Sequence, residues 1–186
     1  MKIILIIFML INTFSCIEKE KNVKSSEDQY QCKVDIEQIT NQEYLRKKLV
    51  DFNSEESDCL EALFSYSKVA FNEKGEKTQN NYLKAVEFIY NNSNSLSSTL
   101  IQGSVFNDIF YDNIYIVTKY LFNNKGSSLG KALQLGIALD FVVFEGKERE
   151  EKYNALYKKV TNEVKDENQR NYIVKLLDSI DRTLYD

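Results

Sequence analysis

Not one of the 186 residues is a proline. A proline inside a helix removes a backbone N–H and drives its ring into the preceding turn, so this chain lacks the strongest interruption to helical backbone. Periodicity takes over the task of dividing it. Tyr82, Ala85, Val86, Ile89 and Tyr90 recur at intervals of three and four, the spacing that gathers apolar side chains on one face of an α-helix.

The same reading extends along the chain. Thr40-Asn41-Gln42-Glu43 has the form of a capping box, with Ile39 and Tyr44 at the staple positions and Leu45, Leu49 and Phe52 on one face. Ser54 suits the N-cap of a second helix, whose inner stripe is Leu60, Leu63, Phe64, Ser67 and Phe71. Asn72 to Lys77 reads as a turn around Gly75, with Thr78 as the cap of the third helix. Residues 96–122 divide into two helices at Asp112-Asn113. The β-branched run from Ile114 to Thr118 suits a strand by composition, but no partner strand is visible nearby and we read it as helix.

Leu133, Ile137, Phe141 and Phe144 mark the most apolar helix, expected at the centre, where Ala132, Gly136 and Ala138 permit close approach. Tyr153, Leu156, Tyr157, Val160 and Val164 mark the next, and Ile173, Leu176, Leu177, Ile180 and Leu184 the last. Short connections favour antiparallel neighbours. The expected fold is all-α, a compact bundle of about seven antiparallel amphipathic helices spanning residues 39–186. A short α-solenoid of helix pairs is the alternative, although no self-similar period is present.

The N-terminus reads as an address. Lys2 precedes an unbroken apolar run, Ile3 to Ile11, which is too short for a bilayer span of about 20 residues. Asn12-Thr13-Phe14-Ser15-Cys16 follows, with a small residue directly before a cysteine. Residues 1–16 resemble the signal peptide and lipobox of bacterial lipoproteins, departing from the usual aliphatic choice at Thr13 and carrying a bulky Phe14. The resemblance implies removal of residues 1–15, lipidation of Cys16 and anchoring to a membrane of the bacterial cell envelope. Ile17, rather than aspartate, follows the cysteine; by the sorting rule of enteric bacteria this favours the outer membrane, on its periplasmic or surface face. The segment from Ile17 to Gln31 is rich in Glu, Lys, Ser and Asp. Such composition cannot offset chain entropy by burial, and residues 16–38 are expected to act as a lipidated, polar tether.

With Cys16 assigned to the anchor, Cys32 and Cys59 remain. An even number of thiols in an oxidising compartment favours a Cys32–Cys59 disulfide. Two separate thiols, with Cys59 packed as a small apolar residue, are the alternative.

Histidine is absent altogether. That excludes a Ser-His-Asp triad, a Cys-His pair, an H-E-x-x-H zinc site and histidine-ligated haem. The net charge of −4 carries no basic face suited to nucleic acid. The reading is therefore of a non-catalytic protein without cofactor or metal. Asp108 and Asp112 share a helical face but lack the alternating acids and glycine turn of a calcium loop. Asp140 lies between Leu139 and Phe141 in the most apolar helix; it is expected at the edge of the buried stripe, paired with Lys131 or another cation, and a buried acid of raised pKa, a functional-site candidate, is the alternative. Tyrosine numbers 12 and phenylalanine 11, and Tyr111, Tyr115 and Tyr120 gather around the central joint. Together with Asp108 and Asp112 they form the candidate binding surface, because tyrosine is enriched at protein–protein hot spots.

The expected function is that of a lipid-anchored envelope protein that binds another protein in the manner of an immunity or inhibitor lipoprotein. Its acidic character would suit a basic partner. A surface-exposed lipoprotein that takes a host or environmental ligand, or a scaffold subunit of an envelope assembly, is the alternative.

Overall fold

The computed structural model describes residues 35–39, 41–52, 71, 75–93 and 106–182. These residues form seven α-helices after a short 3₁₀ turn at Ile36–Gln38: α1 (Gln42–Phe52), α2 (Glu76–Asn92), α3 (Phe106–Asp112), α4 (Ile114–Asn123), α5 (Ser128–Phe141), α6 (Gly146–Glu163) and α7 (Glu167–Asp178). No strand occurs among the described residues. The helix expected after Ser54 falls almost wholly outside them; Phe71, at its end, is helical and buried.

The apolar stripes become the core. On α2, Tyr82, Leu83, Val86 and Ile89 are fully buried, and Ala85 is 2% exposed. Burying each large side chain contributes about 1.5–3 kcal/mol, more than the helix gains from intrinsic propensity. The rings of Phe71 and Tyr82 meet in a T-shaped arrangement with centroids 5.7 Å apart. Packing joins elements distant in sequence. Helix α4 touches α2, α3, α6 and α7, while α5 touches α2, α3 and α7. A solenoid would restrict each helix pair to its neighbours; these contacts close the helices into a compact bundle. The centre is thus shared between α5, expected there as the most apolar helix, and α4, which is at least as apolar.

Helix boundaries follow local hydrogen bonding and correct two sequence expectations. Asn41, rather than Thr40, caps α1: its Oδ1 accepts from Glu43 N at 2.9 Å and from Tyr44 N at 3.3 Å. Thr78 lies inside the first turn of α2, which starts at Glu76 after Gly75. In the charged stretch from Glu145 to Lys152, Lys147 pairs with Glu151 on the exposed face. Arg149 differs: its guanidinium donates to the carbonyls of Phe144, Arg182 and Val142 at 2.7, 2.9 and 3.3 Å. It thereby satisfies acceptors that the end of α5 and the segment after α7 leave open. The division at Asp112-Asn113 is where the sequence put it, and the β-branched run after it is helical.

Candidate functional site

Helix α3 is short and two-sided. Phe106, Asn107, Ile109 and Phe110 are buried, and Asp108 and Asp112 are exposed one turn apart on the opposite side. Asn113 ends the helix with φ −138° and ψ 44°. Its backbone N–H donates to Phe110 O at 3.1 Å and its side-chain amide to Ile109 O at 3.1 Å, so the joint is closed by one residue's own polar groups. From α6, the Lys159 ammonium donates to the carbonyl of Tyr111. The two exposed acids therefore stand on a segment pinned at its C-terminal end.

Behind them lies a polar cluster between α3 and α5. Asp140 Oδ2 accepts from Asn107 Nδ2 at 3.0 Å and from the Tyr111 hydroxyl at 2.9 Å. Asn107 and Tyr111, four residues apart, face α5 together. Burial pushes the Asp140 carboxyl above its ordinary range, and the negative charge of Asp108 adds to that; the two hydrogen bonds oppose it. The Tyr111 hydroxyl is raised by burial first, then by the charge and hydrogen bond of Asp140 and the charge of Asp108. Tyr111 therefore stays a neutral donor, and three acidic positions, Asp108, Asp112 and Asp140, gather on α3 and the facing part of α5.

The expected pairing of Asp140 with Lys131 does not occur. Its partners are two neutral donors, because α3 rather than a cationic side chain packs over that end of α5. The tyrosines also part company. Tyr115, just past the joint, is 43% exposed, whereas Tyr120 is 2% exposed. The Tyr120 hydroxyl donates to Glu87 Oε2 at 2.8 Å and is raised by burial and then by that carboxylate. The accessible members of the candidate surface are Asp108, Asp112 and Tyr115, with Tyr111 half-buried at its base. Cys16, Cys32 and Cys59 lie outside the described residues.

Sequence reasoning overlooked Glu87 and Lys159, and it missed that Asn107 turns inward to Asp140. The spacing of Asn107 and Tyr111 is the one local signal that pointed to a shared partner. Among the described residues no group of three or more potential ligands is placed to hold a metal ion, and no helix is long and apolar enough to cross a membrane. The arrangement offers fixed negative charge beside an exposed aromatic ring, on a rigid support. No protein family matches the chain, and no curated protein or solved structure is significantly similar to it.

Proposed function

We propose that this chain is a lipid-anchored protein of the bacterial cell envelope that binds a basic partner protein through the α3–α4 joint. The reading is of an immunity or inhibitor type, in which capture alone neutralises the partner. It rests most on one observation: Asp108 and Asp112 stand exposed one turn apart, with Tyr115 exposed immediately beyond the Asn113 joint. Charge of one sign speeds encounter with an oppositely charged protein, and a tyrosine of low conformational entropy supplies contact area. The hydrogen bonds of Asn113 and Lys159 hold the joint before binding, which reduces the ordering lost on association. The lipobox-like stretch before Cys16 and the polar segment after it support tethering at a membrane.

Affinity capture with the full chain tests this. Envelope and secreted proteins of the producing strain are passed over the wild type and over a variant carrying Asp108→Asn, Asp112→Asn and Tyr115→Ala. A stoichiometric, salt-sensitive partner of toxic or hydrolytic character, lost with the variant, is the expected result. A partner held equally by both proteins, or none held by folded wild type, contradicts the assignment.

A further inference from the structure

A cleft of about 430 Å³ opens where the α4–α5 turn and the first part of α5 meet α7. Its volume lies within the range of about 300–1,000 Å³ typical of small-molecule sites. Lys125, Lys131 and Lys175 line it, and among the described residues none that lines it is acidic. All three are exposed at the cleft rim, and none of their ammonium groups pairs with a carboxylate of the described residues. Lys125 instead lies over the Phe122 ring, 4.8 Å from its centroid. The Glu87 carboxylate, which meets the start of α5, is taken up by Ser128 N and the Tyr120 hydroxyl and is not part of the cleft wall. On a chain of net charge −4 the cleft is thus a local reversal of sign.

The cleft also has an apolar side. Tyr172 and Leu176 line it, and Tyr172 is fixed edge-to-face against Phe122 with centroids 5.8 Å apart. Gln134 donates to Leu176 O at 3.0 Å and Ser179 Oγ at 2.6 Å, joining the two helices that form the walls. Three ammonium groups are point charges without the planar fork by which arginine grips a carboxylate. They match a multi-oxygen anion that can be approached from several directions, as phosphate can.

We infer that this cleft binds a phosphate ester carrying an apolar substituent, with the phosphate against Lys125, Lys131 and Lys175 and the substituent against Tyr172 and Leu176. The site is separate from the α3–α4 joint and does not depend on its role. A phospholipid headgroup region and a soluble phosphate ester share this chemistry.

The test is calorimetric titration of phenyl phosphate into the full chain in uncharged detergent micelles at low salt. Saturable binding, tighter than that of inorganic phosphate, is expected. The combined variant Lys125→Gln, Lys131→Gln, Lys175→Gln should weaken it at least about tenfold, since each removed charge lowers the local potential. Replacing Lys77, Lys158 and Lys165, likewise exposed but outside the cleft lining, with glutamine should leave it unchanged, and circular dichroism checks that every variant remains helical. Adding phosphatidylglycerol to the micelles distinguishes the source: competition upholds the site as one for a lipid headgroup, and no competition upholds it as one for a soluble ester. Absence of saturable phenyl phosphate binding to the folded wild type, or binding indifferent to the three cleft lysines, overturns the inference.

Discussion

The Tyr111 hydroxyl donates to Asp140 Oδ2 across 2.9 Å and links α3 to α5 through one half-buried carboxylate. Burial holds that carboxyl above its ordinary value of 3.8 even though Tyr111 and Asn107 pull it the other way. A carboxyl raised by folding keeps its proton to higher pH in the native state than in the unfolded chain. Its contribution to stability is therefore fullest below 3.8 and is lost as pH rises through the raised value. We predict that Asp140→Asn, which keeps an acceptor oxygen for Tyr111, removes this fall. Urea midpoints measured at increasing pH should drop for the wild type relative to the variant as pH rises above 3.8 and through the raised value, then run parallel. Curves parallel throughout would mean that Asp140 titrates alike in both states.

Glu87 joins three elements. Its Oε1 accepts from Ser128 N at the start of α5, and its Oε2 from the Tyr120 hydroxyl on α4, each at 2.8 Å. Glu87→Ala leaves both donors without that carboxylate and should lower stability by about 2 kcal/mol; Tyr120→Phe should lower it by about 1 kcal/mol. Because the two share one interaction, the double variant should fall short of their sum by about 0.5–1.5 kcal/mol in chemical denaturation. Strict additivity would place the hydroxyl and the carboxylate in independent roles.

Two glycines respond oppositely to the same change. Gly146 begins α6 at φ +49°, a conformation that alanine resists, and Gly146→Ala should destabilise by about 1–2 kcal/mol. A Cβ at Gly130, within α5, would meet Leu176 Cδ1 at 3.3 Å. That methyl belongs to a half-buried side chain bordering the open cleft, so it can yield. Gly130→Ala should be neutral or stabilising, by up to about 0.5 kcal/mol, since alanine is the better helix former. Thermal unfolding reads both; equal loss at the two positions would contradict the contrast.

The helical class was legible because it is written in spacing, which survives without knowledge of the fold. The break at Asn113 was legible too, because a residue whose side chain competes for backbone groups sat between two stripes. The position of Tyr120 was within reach: it lies three residues after Val117 and beside Leu121, on the buried side of α4, while Tyr115 does not. Glu87, Arg149 and Lys159 were not legible. Glu87 meets partners 33 and 41 residues away, and Lys159 meets a carbonyl 48 residues away. Periodicity assigns a residue to a face; it does not say which distant donor or acceptor that face will meet. The accessible part of the joint was therefore visible in outline, and the network that braces it was not.

The N-terminal reading gives a separate prediction. Cys16→Ala should remove the acylated residue and release a helical, soluble protein from the membrane fraction, as judged by fractionation and circular dichroism. Tight membrane association of that variant would contradict the anchor.

The central claim, that the α3–α4 joint contacts a partner, is tested most directly by crosslinking in the producing cells. A photoreactive benzoylphenylalanine is placed at position 115, or as a control at the exposed position 154 on α6. The account predicts a single crosslinked protein from position 115, diminished when Asp108→Asn and Asp112→Asn are added, and none from position 154. No adduct at position 115 from folded, membrane-localised protein, or identical adducts from both positions, would contradict it.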